Sequence, residues 1–222
     1  MRLVQKYGWR DVSALYSLDE EKARESFNPS FPGSRRHEII RPERPLDDPA
    51  DFDPDPPTRL QVVIRHNEER RLIFLTWGRD PACSNDGPAD GILATFSAEI
   101  AGDLVMLRDP ATVPCLIPIS GYAGRVPPHG GVRDDYVVRP CRASIMTIAG
   151  LAFRWKQPNR CYPTRWCAVV TTGANVFLRP YSERMPVLLA PDQFGSWLAG
   201  TAPRNLPAPA VNVEFEVRLL PP

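Results

Sequence analysis

Between Trp166 and Leu198 the chain alternates material that has to be buried with material that resists burial. Cys167 to Thr172 is an apolar run of strand length, and Gly173-Ala174-Asn175 turns the chain after it. A polar loop follows and ends in Arg184-Met185-Pro186. A second apolar run, Val187 to Leu189, leads into a short helix opened by Pro191-Asp192. A loop held between two buried strands presents polar side chains on rigid supports, which is where folds place binding or reactive groups.

The rest of the chain supplies more strands than helices. Leu60 to Arg65 alternates apolar and polar residues and Leu72 to Trp77 is apolar, so His66 to Arg71 reads as a hairpin loop. Val113–Ile119, Tyr136–Val138 and Ser144–Phe153 are further strand segments. Val211, Val213, Phe215, Val217 and Leu219 share one face of a period-two strand, with Asn212, Glu214, Glu216 and Arg218 on the other. Ser17 to Glu20 has a capping-box pattern for a helix over Glu20–Phe27, which Asn28-Pro29 ends. Residues 42–57, rich in Pro and Asp, read as a surface loop inserted in one domain covering 1–222. The expected class is α+β: a single domain dominated by antiparallel, barrel-like sheet with a few short helices.

With 222 residues and 43% hydrophobic content the chain can bury a sizeable core. A net charge of +1 makes any nucleic-acid site a local patch. The cations are nearly all Arg, with Lys only at Lys6, Lys22 and Lys156; base composition of the genome and phosphate binding both account for that bias. Cys83, Cys115, Cys141, Cys161 and Cys167 form no zinc spacing and read as reduced thiols of a cytoplasmic protein. No apolar run has the length of a membrane span, and no metal or small-molecule cofactor is expected.

Six segments, in order, resemble motifs of the SRAP family, the SOS-response-associated peptidases that cross-link to abasic DNA. Val12-Ser-Ala-Leu-Tyr-Ser17 is similar to the family's N-terminal Cys-Gly-Arg-Tyr-Ser, and His37-Glu-Ile-Ile-Arg-Pro42 to its Tyr-Asn-Ile-Ala-Pro strand. Trp77-Gly78 matches a Trp-Gly turn, and Cys115-Leu-Ile-Pro-Ile-Ser-Gly-Tyr122 resembles Cys-Leu-Ile-Pro-Ala-Asp-Gly-Phe. Ile148 to Trp155 resembles the Phe-Ala-Gly-Leu-Trp strand, and Arg184-Met-Pro186 the end of a His-Asp-Arg-Met-Pro loop. Thr95-Phe-Ser-Ala-Glu-Ile100 stands where the family has Asn-Ala-Arg-Ala-Glu-Thr.

The resemblance implies a chemistry in which an N-terminal cysteine, exposed by loss of the initiator Met, closes a thiazolidine on an abasic aldehyde. A Glu and a His manage protons, while an Asn and an Arg hold the amine and phosphate. This chain carries other residues at each place: Arg2 follows Met1, and the matched nucleophile position is Ser13. The Asn and Arg fall on Thr95 and Ser97, the Glu on Gly124 and the His on Ser182. No catalytic residue is therefore expected, and Ser13, Thr95, Ser97, Gly124 and Ser182 mark a vestigial site. Candidate nucleic-acid contacts are Arg35, Arg36, Arg41, Trp77, Gly78, Arg184, Met185 and Pro186, with Tyr122 and Trp155 as further stacking faces. The alternative for the arginines is a solvated surface, and for Trp77 and Trp155 a place in the core. His66 and His129 read as solvated loop residues, and the aspartates of 42–57 fit no calcium loop.

These readings converge on an SRAP-like protein that binds single-stranded or abasic-site DNA in a damage response without cross-linking it. Two alternatives stay open: an interaction or regulatory module on the same scaffold, and an active cross-linking enzyme or peptidase with chemistry moved to Ser13, Ser182 or Cys83.

Overall fold

Runs buried at every residue need cover on both faces, and β5 (Thr112–Ile119), β8 (Met146–Trp155) and β9 (Thr164–Gly173) each contain one: Pro114–Ile119, Met146–Ala152 and Trp166–Thr171. The computed structural model describes residues 1–5, 7–21, 24, 59–78, 95–98, 112–126, 135–141, 145–155, 164–201 and 215–219. The Pro/Asp-rich stretch 42–57, the segment 37–42, His129, Cys83 and Cys161 lie outside them.

β2 (Arg59–His66) and β3 (Glu69–Trp77) form a hairpin in which Arg59 faces Thr76 and His66 faces Glu69. The six-residue loop expected there is a two-residue turn, because Asn67 and Glu68 both take positive φ (48° and 66°). That conformation matches the twist of the flanking strands, so Glu69 to Arg71 join the ladder. β2 then pairs β5, β5 pairs β8, β8 pairs β9, and β9 pairs β3 in parallel, closing a ring. Successive side chains of a strand point to opposite faces, which splits the apolar residues into two sets. Leu60, Val62, Leu75, Cys115, Ile117, Ile148 and Val169 belong to the first. Val63, Leu116, Ala149, Leu151 and Val170 belong to the second, which the helices cover from outside.

Those helices are α1 (Trp9–Tyr16) and α2 (Phe194–Leu198), the latter entered through a 3-10 turn at Pro191–Gln193. Trp197 Nε1 donates to Cys115 O at 2.9 Å, and the Tyr16 hydroxyl lies 2.7 Å from Thr147 Oγ1. α1 was not expected from the sequence, where the first helix was placed at Glu20–Phe27. The Gly8 amide donates to Asp11 Oδ2 (3.0 Å) at its start, and Ser17 ends it in the left-handed region instead of opening the next helix. Helical conformation resumes at Glu20.

A second sheet, in the order β1 (Arg2–Val4), β6 (Gly121–Arg125), β7 (Asp135–Pro140), β11 (Phe215–Leu219), packs on the inner set through Tyr122, Tyr136 and Val138. β11 is an edge strand, and Leu219 on its predicted apolar face is 53% exposed. Pro118 has no amide hydrogen for the β2–β5 ladder, which is two pairs long, Val63↔Leu116 and Ile64↔Cys115. The Gln5 side chain fills the gap: its amide nitrogen donates to Gln61 O (2.9 Å) and Pro118 O (2.7 Å), and its oxygen accepts from Gln61 N (2.9 Å). The fold is thus mostly antiparallel sheet, partly barrel-like, with two short helices among the described residues.

Candidate functional site

β8 and β9 splay apart past Gly150↔Val169, and the segment from Arg184 to Leu189 enters the fork. β10 (Arg184–Pro186) pairs Thr171–Gly173; then Val187 N donates to Val170 O, and Ala149 N to Val187 O, both at 2.9 Å. This fixes the loop 174–183 over one end of the ring. On the other flank of β9, β4 (Thr95–Ser97) runs parallel, with Ser97 opposite Thr171.

Arg184 is tied back to β9. Its Nε donates to Thr171 Oγ1 (3.1 Å) and its Nη2 to Thr171 O (2.8 Å), while Thr171 Oγ1 donates to Phe96 O (3.2 Å). Ser182 Oγ donates to Arg184 O at 2.8 Å. The Ser182 hydroxyl also interacts with the Tyr136 phenol.

Tyr136 stands directly across β6 from Gly124. A Cβ at 124 would lie 2.3 Å from both Cζ and Oη of Tyr136, so the ring occupies the space into which any side chain there would project. Tyr136 is 4% exposed, and its ring lies 5.7 Å from that of Tyr181 at 35°. Burial raises its pKa above the ordinary phenol value, against a smaller lowering from the Ser182 hydrogen bond. The structure therefore links Ser97, Thr171, Arg184, Ser182, Tyr136 and Gly124 in one continuous series. Thr95 pairs with Val169 and is exposed, two residues from Ser97.

Ser13 is not in that series. It is buried on α1, outside the ring, and its hydroxyl donates to Arg10 O at 3.2 Å. The strand beside the series is β1, where Arg2 pairs with Ala123, next to Gly124. Met185 (1% exposed) and Pro186 are buried, so they hold β10 in the fork and offer no surface to a strand of nucleic acid. Tyr122, 1% exposed, is a core residue and no stacking face; its hydroxyl is the one buried side-chain N or O without a partner among the described residues. Trp77 is half-buried against the inner set, and Gly78, at φ 85°, turns the chain with its amide on Cys167 O (2.9 Å). Arg35, Arg36 and Arg41 lie outside the described residues.

Sequence reasoning missed Tyr136, Thr171 and Tyr181 as parts of the site. The β6–β7 register that sets Tyr136 over Gly124 is a pairing of residues that spacing along the chain does not reveal. Burial also pushes the Cys167 thiol up to about 12 and raises that of Cys115, so neither supplies a thiolate near neutrality. Among the described residues no three His, Cys, Asp or Glu side chains gather as metal ligands, and no helix is long and apolar enough to cross a membrane.

The sequence profile described as SOS response associated peptidase (SRAP) matches residues 16–217. The abasic site processing protein YoaM of Bacillus subtilis is 25% identical over 144 residues, 64% of this chain and 63% of that relative. The abasic site processing protein YoqW, also of Bacillus subtilis, is 24% identical over 146 residues, 64% of each. The chain thus spans less than two thirds of the length of the curated relatives it matches. A crystal structure of a protein from Bordetella bronchiseptica superposes with a TM-score of 0.62 at 18% identity, covering 99% of this chain and 98% of that one, a likeness of fold. With a family match over residues 16–217, most of its length, the chain belongs to the SRAP family.

Proposed function

We propose that this chain is a catalytically degenerate SRAP protein that binds single-stranded or abasic-site DNA without forming a covalent bond to it. Abasic DNA enters the reading through the names of YoaM and YoqW as abasic site processing proteins. The observation that carries the loss of chemistry is the packing of Tyr136 into the space of a residue-124 side chain, with its phenol bonded to Ser182. By the resemblance, those two positions are where the family keeps its Glu and His. A buried phenol and a serine hydroxyl engaged with the Arg184 carbonyl stand in place of a proton-transfer pair.

Relocated chemistry finds little support in the described residues. Ser13 is buried with its hydroxyl engaged, Ser182 donates to a main-chain carbonyl, and Cys115 and Cys167 are buried thiols. The test is incubation of the protein with a single-stranded oligonucleotide carrying one abasic site, beside the undamaged strand. The expected result is salt-sensitive binding of both strands under native conditions and no shifted band after denaturing electrophoresis. An adduct that survives denaturation, found only with the abasic strand, would overturn the non-covalent part. Absence of binding at low salt would overturn the DNA part.

A further inference from the structure

The loop that carries Ser182 also carries the two most exposed large apolar side chains among the described residues, Val176 at 75% and Phe177 at 71%. They are held out by a rigid frame. Ala174 N donates to Glu183 O (2.9 Å) and closes the base of the loop. Asn175 Oδ1 accepts from the amides of Phe177 (3.1 Å) and Leu178 (2.9 Å), and Asn175 O accepts from Arg179 N (2.9 Å). Leu178 O accepts from Tyr181 N (2.8 Å) and Ser182 N (2.9 Å), while the Leu178 side chain is buried in the inner set. These bonds lie within the loop itself, which reduces the ordering left to do when a partner arrives.

Charge points to the kind of partner. In the loop 174–183 the charged residues are Arg179, exposed two positions after Phe177, and Glu183 at the base, where Arg184 follows it. An apolar aromatic face with cations beside it suits a base and its phosphate better than a second apolar surface. We infer that Phe177, flanked by Val176 and Arg179, is a platform on which one base of a bound single strand stacks. This rests on the reading that the chain binds single-stranded DNA and adds where the strand runs: across the tip of the loop 174–183, next to the Tyr136–Ser182 pair.

The experiment is fluorescence anisotropy of the full chain with a labelled oligothymidylate of about 12 nucleotides, within the usual site sizes for single strands. Phe177→Ala is expected to weaken binding roughly tenfold, the loss of one stacked base. Its slope of log affinity against log salt should match that of the wild type, because no phosphate contact is removed. Phe177→Trp should keep the affinity, and Arg179→Ala should lower the salt slope by about one. Since both side chains are exposed, the denaturation midpoints should not move. If the wild type binds and Phe177→Ala binds equally well, the platform is refuted while the DNA-binding reading stands. If the wild type binds neither the oligothymidylate nor an abasic strand, both fall. Loss of self-association on sedimentation of Phe177→Ala, with DNA affinity unchanged, would assign the tip to a second copy of the chain and overturn the inference.

Discussion

Gly124 and Gly150 both sit in central strands where an added methyl group has no room, but the obstacle differs. At Gly150 a Cβ would meet Ile117 Cδ1 at 2.6 Å and Cys115 Sγ at 2.8 Å, both in the inner set of the ring. At Gly124 the three nearest atoms all belong to the far end of one ring, Tyr136. The first glycine is required by close packing of the scaffold, and the resembled Phe-Ala-Gly-Leu motif carries it as well. The second is required by the ring of Tyr136 across the sheet. One glycine answers to the packing of a core, the other to one neighbouring side chain.

The comparison can be tested from its heaviest side down. Trp197→Ala removes a buried indole and its bond to Cys115 O, and should cost about 3–5 kcal/mol in chemical denaturation. A loss below about 1 kcal/mol, the level of a surface change, would mean that the ring core is loosely packed after all. Gly150→Ala should cost about 1–3 kcal/mol through overpacking, by the same amount with or without Tyr136→Ala. Gly124→Ala should cost about 1–3 kcal/mol through overpacking against the Tyr136 ring. In the Tyr136→Ala background that penalty should vanish, and a persistent cost would show that the main chain around 124, not the ring, excludes a side chain. The smallest effect belongs to the sheet that carries Tyr136. The hydrogen bond from Arg139, and then the charges of Arg139 and Arg218, lower the pKa of Glu216 on β11 below its usual 4.5. A depressed carboxylate pKa contributes stability above 4.5 that is lost as pH falls through the folded value, so acid titration should weaken the β7–β11 pairing. Glu216→Gln should flatten that acid limb, and an unchanged limb would remove Glu216 from the account.

What the sequence disclosed follows the range of the interactions involved. The β2–β3 hairpin, β5, β8 and β9 were legible because burial imposes a local pattern. The hairpin loop was read too long because Asn67-Glu68 is not the usual glycine-bearing turn. α1 was missed although Val12 and Tyr16, four apart, share its buried face, because the capping-box pattern at Ser17–Glu20 placed the first helix after it. In the site, the resemblance located Ser97, Gly124 and Ser182, which the fold does bring into one series, but it set the nucleophile position at Ser13 on a helix. Tyr136 was read only as the start of a strand. Its ring lies over Gly124 through the β6–β7 register and reaches Ser182 across a further 46 positions of chain, and neither contact leaves a mark in composition or spacing.

The Gln5 amide bridging Gln61 and Pro118 has a consequence for how the molecule loosens. The main-chain hydrogen of Gln61 is shielded by a side chain 56 residues earlier, where a strand would normally shield it. Exchange of that one hydrogen with solvent therefore follows release of the first few residues, while its neighbours follow the opening of the ring. Because the same segment continues from β1 beside Ala123, releasing it uncovers the flank of Gly124 and the β2–β5 seam in one event.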